Sequence, residues 1–200
     1  MDISSSLPMK GNTMTSIKFK RYQNQLTLKN KLARFLWNTI ALFFFRLTPT
    51  FLFNKWRIFV LRCCGATIGK HCFVPANVKI WAPWNITLGD YVALGAHTEL
   101  YSVARITIGS AVTISQGAYL CTASHDISYR LKPLITKPIT IGNFCWVCAD
   151  SAILPGVNLG EGSVAGLRAV VTKSVSPWTV VAGNPARKIR KRVLREDKLS

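Results

Sequence analysis

The chain has 200 residues, 49% of them hydrophobic, with 26 Lys and Arg against 8 Asp and Glu for a formal charge of +18. That length and apolar fraction suit one domain with an ample core and an appendage. Residues 1–70 hold twelve Lys and Arg with one acid, residues 71–186 seven with five acids, and residues 187–200 seven with two, so a nearly neutral middle argues against a nucleic-acid surface and for anionic small molecules or an anionic membrane face.

Residues 1–30 read as a mobile, polar N-terminus without a secretory signal. Residues 31–64 read as an amphipathic helical segment. Leu32, Phe35, Leu36, Ile40, Phe43, Phe44 and Leu47 keep helical spacing until Pro49 ends the run. A second stretch puts Phe51, Leu52, Trp56, Phe59 and Val60 on one side, with Lys55, Arg57 and Arg62 around it. Two readings stand for these helices. They cap the open end of the neighbouring domain or pack against another subunit, or they hold the protein peripherally on an anionic membrane at the inner face of the plasma membrane. The longest uncharged apolar run, Phe35 to Phe45, is too short to span a bilayer.

Residues 65–176 repeat every six positions. A large aliphatic series runs Ile68, Val74, Ile80; Leu88, Leu94, Leu100; Ile108, Ile114, Leu120; Ile141, Val147, Ile153; Leu159, Ala165, Val171. A smaller series runs two residues ahead, from Ala66, Cys72 and Val78 to Val157, Ser163 and Ala169. Residues two apart on a strand share a face, so each unit is a short strand with one large and one small inward side chain, followed by a turn. Hexapeptide periodicity is a β-helix signature, and three units per coil give a triangular prism of about five coils. A sandwich of short strands would not keep every position of both series in register. The coil spacing holds one long insertion, residues 122–138, and insertions on a solenoid map to loops on one face, often the binding face.

That insertion carries His125 beside Asp126. An imidazole can accept a proton near neutral pH, provided a carboxylate or backbone carbonyl fixes its tautomer. Adjacency alone does not say whether Asp126 does so. His71 and His97 read as solvated turn residues. Of the six cysteines, Cys72 and Cys145 fall on the small inward series. Cys145 and Cys148 form a CxxC whose register points one in and one out. No second pair completes four ligands at zinc spacing, so no metal site is expected. Free buried thiols fit a reducing cytoplasm. Past Val171 the beat stops. Residues 177–200 read as a strand, a Gly-Asn-Pro turn and a basic tail, for which a short helix is one form. Lys173, Arg187, Lys188, Arg190, Lys191 and Arg192 cluster there, suited to phosphate or to plain solvation.

The repeat, the SHD of the insertion, the segment ITIGNFCWVCADSAILPGVNLGEGSVAGLRAVVTKSV and the closing VVAGNPARKIR together resemble the hexapeptide-repeat O-acetyltransferases. The stretch ISQGAYLCTASHDISYRLKPLITKPITIG looks most like the colanic acid biosynthesis acetyltransferases. The resemblance covers roughly residues 35–195. It implies a left-handed parallel β-helix, a homotrimer with the donor site between neighbouring prisms, and acetyl-CoA as co-substrate. His125 matches the family's catalytic base, with Asp126 beside it. Trp146 matches an aromatic position near the acceptor and the pantetheine arm. Ala149 and Leu167 match positions whose backbone lines the pantetheine channel, Thr172 and Lys173 the adenine and ribose end, and Arg187 and Arg190 the cofactor phosphates. Leu167, Arg168 and Cys148 depart from the small residues usual at their positions, and the Asn that galactoside-type relatives place near the acceptor is missing before Ile106.

The resemblance therefore implies a cytoplasmic acetyltransferase acting on a sugar hydroxyl in surface-polysaccharide synthesis by direct transfer. The rivals are a non-catalytic β-helix scaffold and a γ-carbonic-anhydrase-like metal hydratase. The hydratase needs three converging histidines, whereas His71 and His97 fall on different corners of different coils.

Overall fold

The computed structural model describes residues 26–194, so residues 1–25 of the polar N-terminus and 195–200 of the basic tail lie outside the described residues. The hexapeptide units are short parallel strands stacked into three sheets, the three faces of a β-helix. The first face stacks Thr67–Ile68, Ile86–Leu88, Ile106–Ile108, Ile139–Ile141 and Asn158–Leu159. The second stacks Ala93–Leu94, Thr113–Ile114, Trp146–Val147, Val164–Ala165 and Thr179–Ala182. The third stacks Lys79–Ile80, Glu99–Tyr101, Tyr119–Cys121, Ala152–Ile153 and Val170–Val171. Register follows the beat: Ile68 pairs with Leu88, Leu88 with Ile108, Ile108 with Ile141 and Ile141 with Leu159.

Every residue of both inward series is buried. Each buried aliphatic contributes about 1.5–3 kcal/mol, and each packs on its counterparts above and below. The polar members of the small series are satisfied inside. Thr98 Oγ1 donates to the Gly95 carbonyl at 2.9 Å, and Ser151 Oγ donates to those of Cys148 and Gly166, both at 2.8 Å.

Two corners of the prism turn through left-handed backbone. One column is His71, Tyr91, Ala111, Phe144, Gly162 and Trp178, and the other His97, Gly117, Asp150 and Arg168, with φ between 53° and 69°. A side chain there costs about 1 kcal/mol or more. From the second coil on, the turns are held by N–H groups that donate to the coil before, as Tyr91 does to the Lys70 carbonyl and Ala111 to that of Asp90, both at 2.8 Å, and His97 to Asn77 Oδ1 at 3.4 Å. His71 stacks on Tyr91 with ring centroids 4.7 Å apart. The third corner takes every insertion: the 3-10 turn Pro83–Asn85, residues 102–105 and residues 122–138. Buried Ser102 and Thr122 lock it, through Ser102 Oγ to the Ala82 carbonyl at 3.0 Å and Thr122 Oγ1 to the Tyr101 carbonyl at 2.7 Å.

The coil does not stop at Val171. Val175 bridges Leu159, and Val181 pairs with Ala165, both sixteen residues back and both buried. This sixth turn is shortened, which is why a strict six-residue beat misses it. Among the described residues the basic tail forms a strand in place of a helix: Arg187–Lys191 is exposed and antiparallel to Thr179–Ala182. Arg192 ties the strand down, donating to the carbonyls of Phe144 at 2.7 Å and Gly162 at 3.1 Å.

At the other end, α1 (Leu28–Ile40) begins at Thr27, whose Oγ1 accepts from the Asn30 N–H at 3.2 Å, and runs into a π-helical turn, Ala41–Arg46. Trp37, Ala41 and Phe45 are its buried residues. A four-residue step overshoots the face in α geometry and undershoots it in the wider π turn, so the combination holds all three on one side. Helix α2 (Asn54–Cys63) departs from the expected sidedness at Trp56, Arg57 and Phe59. Its buried residues are Arg57, Val60 and Leu61, while Phe51, Leu52, Trp56 and Phe59 are exposed. The first coil has no coil before it, and its carbonyls need donors. Arg57 supplies one, from Nε to Val74 at 2.8 Å, and also ties down the connection before α2, from Nη1 to the Pro49 carbonyl and Thr48 Oγ1, both at 3.0 Å, and from Nη2 to the Thr50 carbonyl. Asn54 donates to the Cys72 carbonyl at 2.8 Å and accepts from the Val74 N–H at 2.9 Å. Arg62 donates to the Ile68 carbonyl at 2.7 Å.

Both the first coil and the corners make stability testable. Arg57→Ala strands the buried Val74 carbonyl and frees those of Pro49 and Thr50, which lowers the unfolding free energy by about 3 kcal/mol, read from the denaturant midpoint. A Cβ on Gly162 would stand 2.5 Å from Trp178 Cε3, inside a ring, whereas at Gly117 the obstacle is the mobile Asp150 carboxylate. Gly162→Ala therefore costs about 1–3 kcal/mol in overpacking and lowers the thermal midpoint more than Gly117→Ala.

Candidate active site

The insertion at the third corner is a β-hairpin. Ala123–His125 pairs antiparallel with Leu134–Thr136, His125 opposite Leu134. His125 Nδ1 lies 2.6 Å from the Lys132 carbonyl oxygen. A carbonyl can only accept, so Nδ1 carries the proton in the neutral ring and Nε2 is the basic nitrogen. Lys132 reaches this position through left-handed backbone, φ 43°. Asp126 does other work. Its Oδ1 accepts from the Ser128 N–H at 2.9 Å, and its own N–H donates to the Pro133 carbonyl at 3.0 Å, so it shapes the hairpin tip. The contact that orients His125 is thus a main-chain carbonyl seven residues on, which sequence adjacency does not reveal.

The other residues singled out from the sequence lie at three places. Trp146 stands on the outer side of the second face, exposed, and its indole N–H donates to Ser115 Oγ at 2.9 Å. Ala149 and Leu167 sit on successive coils at the corner between the second and third faces, with Leu167 67% exposed. The Ala149 carbonyl accepts from the Arg168 N–H at 3.0 Å. Thr172 and Lys173 lie at the third corner, two coils along the axis from the start of the His125 hairpin. Lys173, Arg187 and Lys188 line one open cleft of about 480 Å³ together with Ser174, Ser176 and Thr179. Arg190, further along the same exposed strand, is not among its lining residues. Within one chain, then, Lys173 and Arg187 share a cleft, and His125 and Trp146 stand on different parts of the prism.

Burial pushes the Cys145 and Cys148 thiols up, which keeps them protonated and weakly nucleophilic. Among the described residues no three His, Cys, Asp or Glu side chains gather as metal ligands. For the acceptor side, sequence reading offered Trp146 alone, by resemblance. The structure adds an outward aromatic column on the third face: Trp81 and Tyr101 at 5.9 Å between centroids, then Tyr101 and Tyr119 at 6.4 Å. Arg34 lies over Trp81 at 3.8 Å. Burial first, and the neighbouring Cys121 second, raise the Tyr119 hydroxyl above its ordinary range. The strand Tyr119–Cys121 leads straight into the His125 hairpin. The signal was available, since these residues flank inward positions on three successive coils.

No family model matches the chain. Known proteins do. WcaF of Escherichia coli (strain K12), provisionally described as a colanic acid biosynthesis acetyltransferase, is 44% identical over 158 residues, 79% of this chain and 86% of that protein. A hexapeptide-repeat acetyltransferase of Vibrio cholerae, solved with acetyl-coenzyme A, superposes with a TM-score of 0.78 at 27% identity over 84% of this chain and 91% of that one. A maltose O-acetyltransferase of Clostridium difficile gives 0.77 at 27% identity, over 84% and 90%. The stacked coils, the hairpin histidine and this extent of identity agree: the chain belongs to the hexapeptide-repeat acetyltransferase family and is an enzyme of acetyl transfer.

Proposed function

We propose that this protein transfers acetyl from acetyl-CoA to a hydroxyl of a sugar, on a precursor of surface polysaccharide. The observation that carries the reading is the His125 ring, held through Nδ1 on the Lys132 carbonyl so that Nε2 is its base. Nε2 takes the proton of the acceptor hydroxyl as that oxygen attacks the thioester carbon. The C–S bond breaks, the CoA thiolate leaves, and the imidazolium returns the proton to it. Atoms and charge balance without an acyl-enzyme, in keeping with the raised Cys145 and Cys148 thiols.

Acetyl-CoA is the donor held by the Vibrio cholerae relative, and the cleft beside Lys173 and Arg187 suits its phosphates, Arg by paired N–H donors. Arg190, Thr172, Ala149 and Leu167 belong to the same donor path in this reading. His125 and Trp146 lie on different parts of one prism, so a site using both is completed by a neighbouring copy, in the homotrimer the resemblance implies. WcaF and the maltose enzyme point to a glycan acceptor, and the aromatic column from Trp81 to Tyr119 offers flat apolar faces to sugar rings. A lipid-linked glycan at the inner face of the plasma membrane fits the basic, aromatic N-terminal helices. Asp126 is a positioning residue that holds the hairpin tip.

His125→Ala lowers kcat by about 10²–10⁴-fold with acetyl-CoA affinity unchanged in calorimetry. A scaffold would show no acetyl transfer to lose. Asp126→Asn lowers kcat less. Arg187→Ala weakens acetyl-CoA by about tenfold, more at low salt than at high, with the kcat of saturated enzyme nearly kept. Tyr101→Ala raises KM for the acceptor and leaves that for acetyl-CoA in place.

A further inference from the structure

The outward side of the N-terminal helices is apolar without a partner in the fold. On α1, Leu28, Leu32, Phe35 and Leu36 are exposed on the side opposite buried Trp37, and Leu42, Phe43 and Phe44 continue the stripe through the π turn. Helix α1 is thus apolar on two opposite faces, and only one meets the β-helix. Capping explains the inner face and leaves the outer one unaccounted for. The connection to α2 adds Phe51 at 86% exposed and Leu52 at 83%, and α2 adds Trp56 and Phe59. The Trp56 indole N–H donates to the Phe44 carbonyl at 2.8 Å, and the Trp56 and Phe59 rings lie 5.7 Å apart, which draws both helices into one surface. Scattered exposed apolar residues are ordinary, but a contiguous aromatic surface of this kind marks an interaction site.

Charge selects the partner. Lys29, Lys31, Arg46 and Lys55 are exposed on the same segments. Between Asp2 and Asp90 the sequence has no acidic residue at all. A second copy of the chain, pairing surface to surface, would bring two rims of like charge together. An anionic bilayer satisfies both parts, since aromatic and leucine side chains enter the headgroup boundary while the cations meet lipid phosphates. Among the described residues no helix is long and apolar enough to cross a membrane, so these helices would lie along the surface. We propose that the outward face of α1, the π turn and α2 docks this enzyme on an anionic lipid surface. The acetyltransferase reading enters only in that the acceptor is then met at the bilayer.

The test is flotation of the full-length protein, without acetyl-CoA, on vesicles of phosphatidylcholine alone and of phosphatidylcholine with an equal share of phosphatidylglycerol. Binding to the anionic vesicles is expected, weak on the neutral ones and reduced by salt. Phe43→Ser and Phe51→Ser each weaken it by about tenfold, and Lys55→Ala by about fivefold. The thermal midpoint and acetyl-CoA affinity of these exposed variants stay unchanged, which separates lipid docking from the catalytic reading. Three results would overturn the proposal: no flotation on anionic vesicles, binding indifferent to the Phe substitutions, or a change of oligomeric state in sedimentation velocity for Phe43→Ser, which would assign the surface to contacts between copies.

Discussion

Each coil of this protein must offer its main-chain N–H and C=O groups to the coil above and the coil below. That requirement fixes most of the architecture. Ile68, Leu88, Ile108, Ile141 and Leu159 fall in one column because the strands that carry them are hydrogen bonded in register. Extra residues therefore cannot enter a strand. They collect at a corner, where Ser102 and Thr122 replace the lost main-chain pairing with side-chain hydrogen bonds. The candidate base rides on the longest of these insertions, which is a place the ladder leaves free to vary.

The same requirement is hardest to meet at the two ends, and each end bears on function. At the first coil, Asn54, Arg57 and Arg62 turn toward the β-helix to serve its open main-chain groups. Arg57 therefore faces inward beside Val60 and Leu61, and Trp56 and Phe59 are left facing out. At the last coil, the strand Arg187–Lys191 closes the second face, and Arg192 fastens it to two corner carbonyls. Closing that edge with a basic strand also lines a cleft with Arg187, Lys188 and Lys173. Solving an edge problem and building a charged surface are one event here.

Preorganisation of the hairpin rests on main chain. The Lys132 carbonyl sets the imidazole tautomer, and Asp126 secures the tip through the Ser128 N–H. A main-chain acceptor carries no titratable charge of its own, so the Nδ1 contact of His125 keeps its acceptor at every pH. The triangular section also separates chemistry in space. A side chain on the second face and one at the third corner cannot meet within one prism, whatever their order in the sequence.

The sequence by itself determined the β-helix, the inward and outward sense of both series, the corner residues and the one long excursion, because a strict hexapeptide period encodes a repeated local geometry. It also brought His125 and Arg187 forward, through residues at matched positions. Tertiary structure decided what depends on a neighbour distant in the chain. The shortened sixth turn through Val175 and Val181 is visible only by pairing with Leu159 and Ala165. Arg187–Lys191 is a strand because the edge at Thr179–Ala182 was open to it. Arg57 is buried because the first coil lacked donors, a need that no helical pattern within residues 31–64 expresses. The partner of His125 was likewise hidden, since a backbone carbonyl looks the same at every position until the chain folds back to present one.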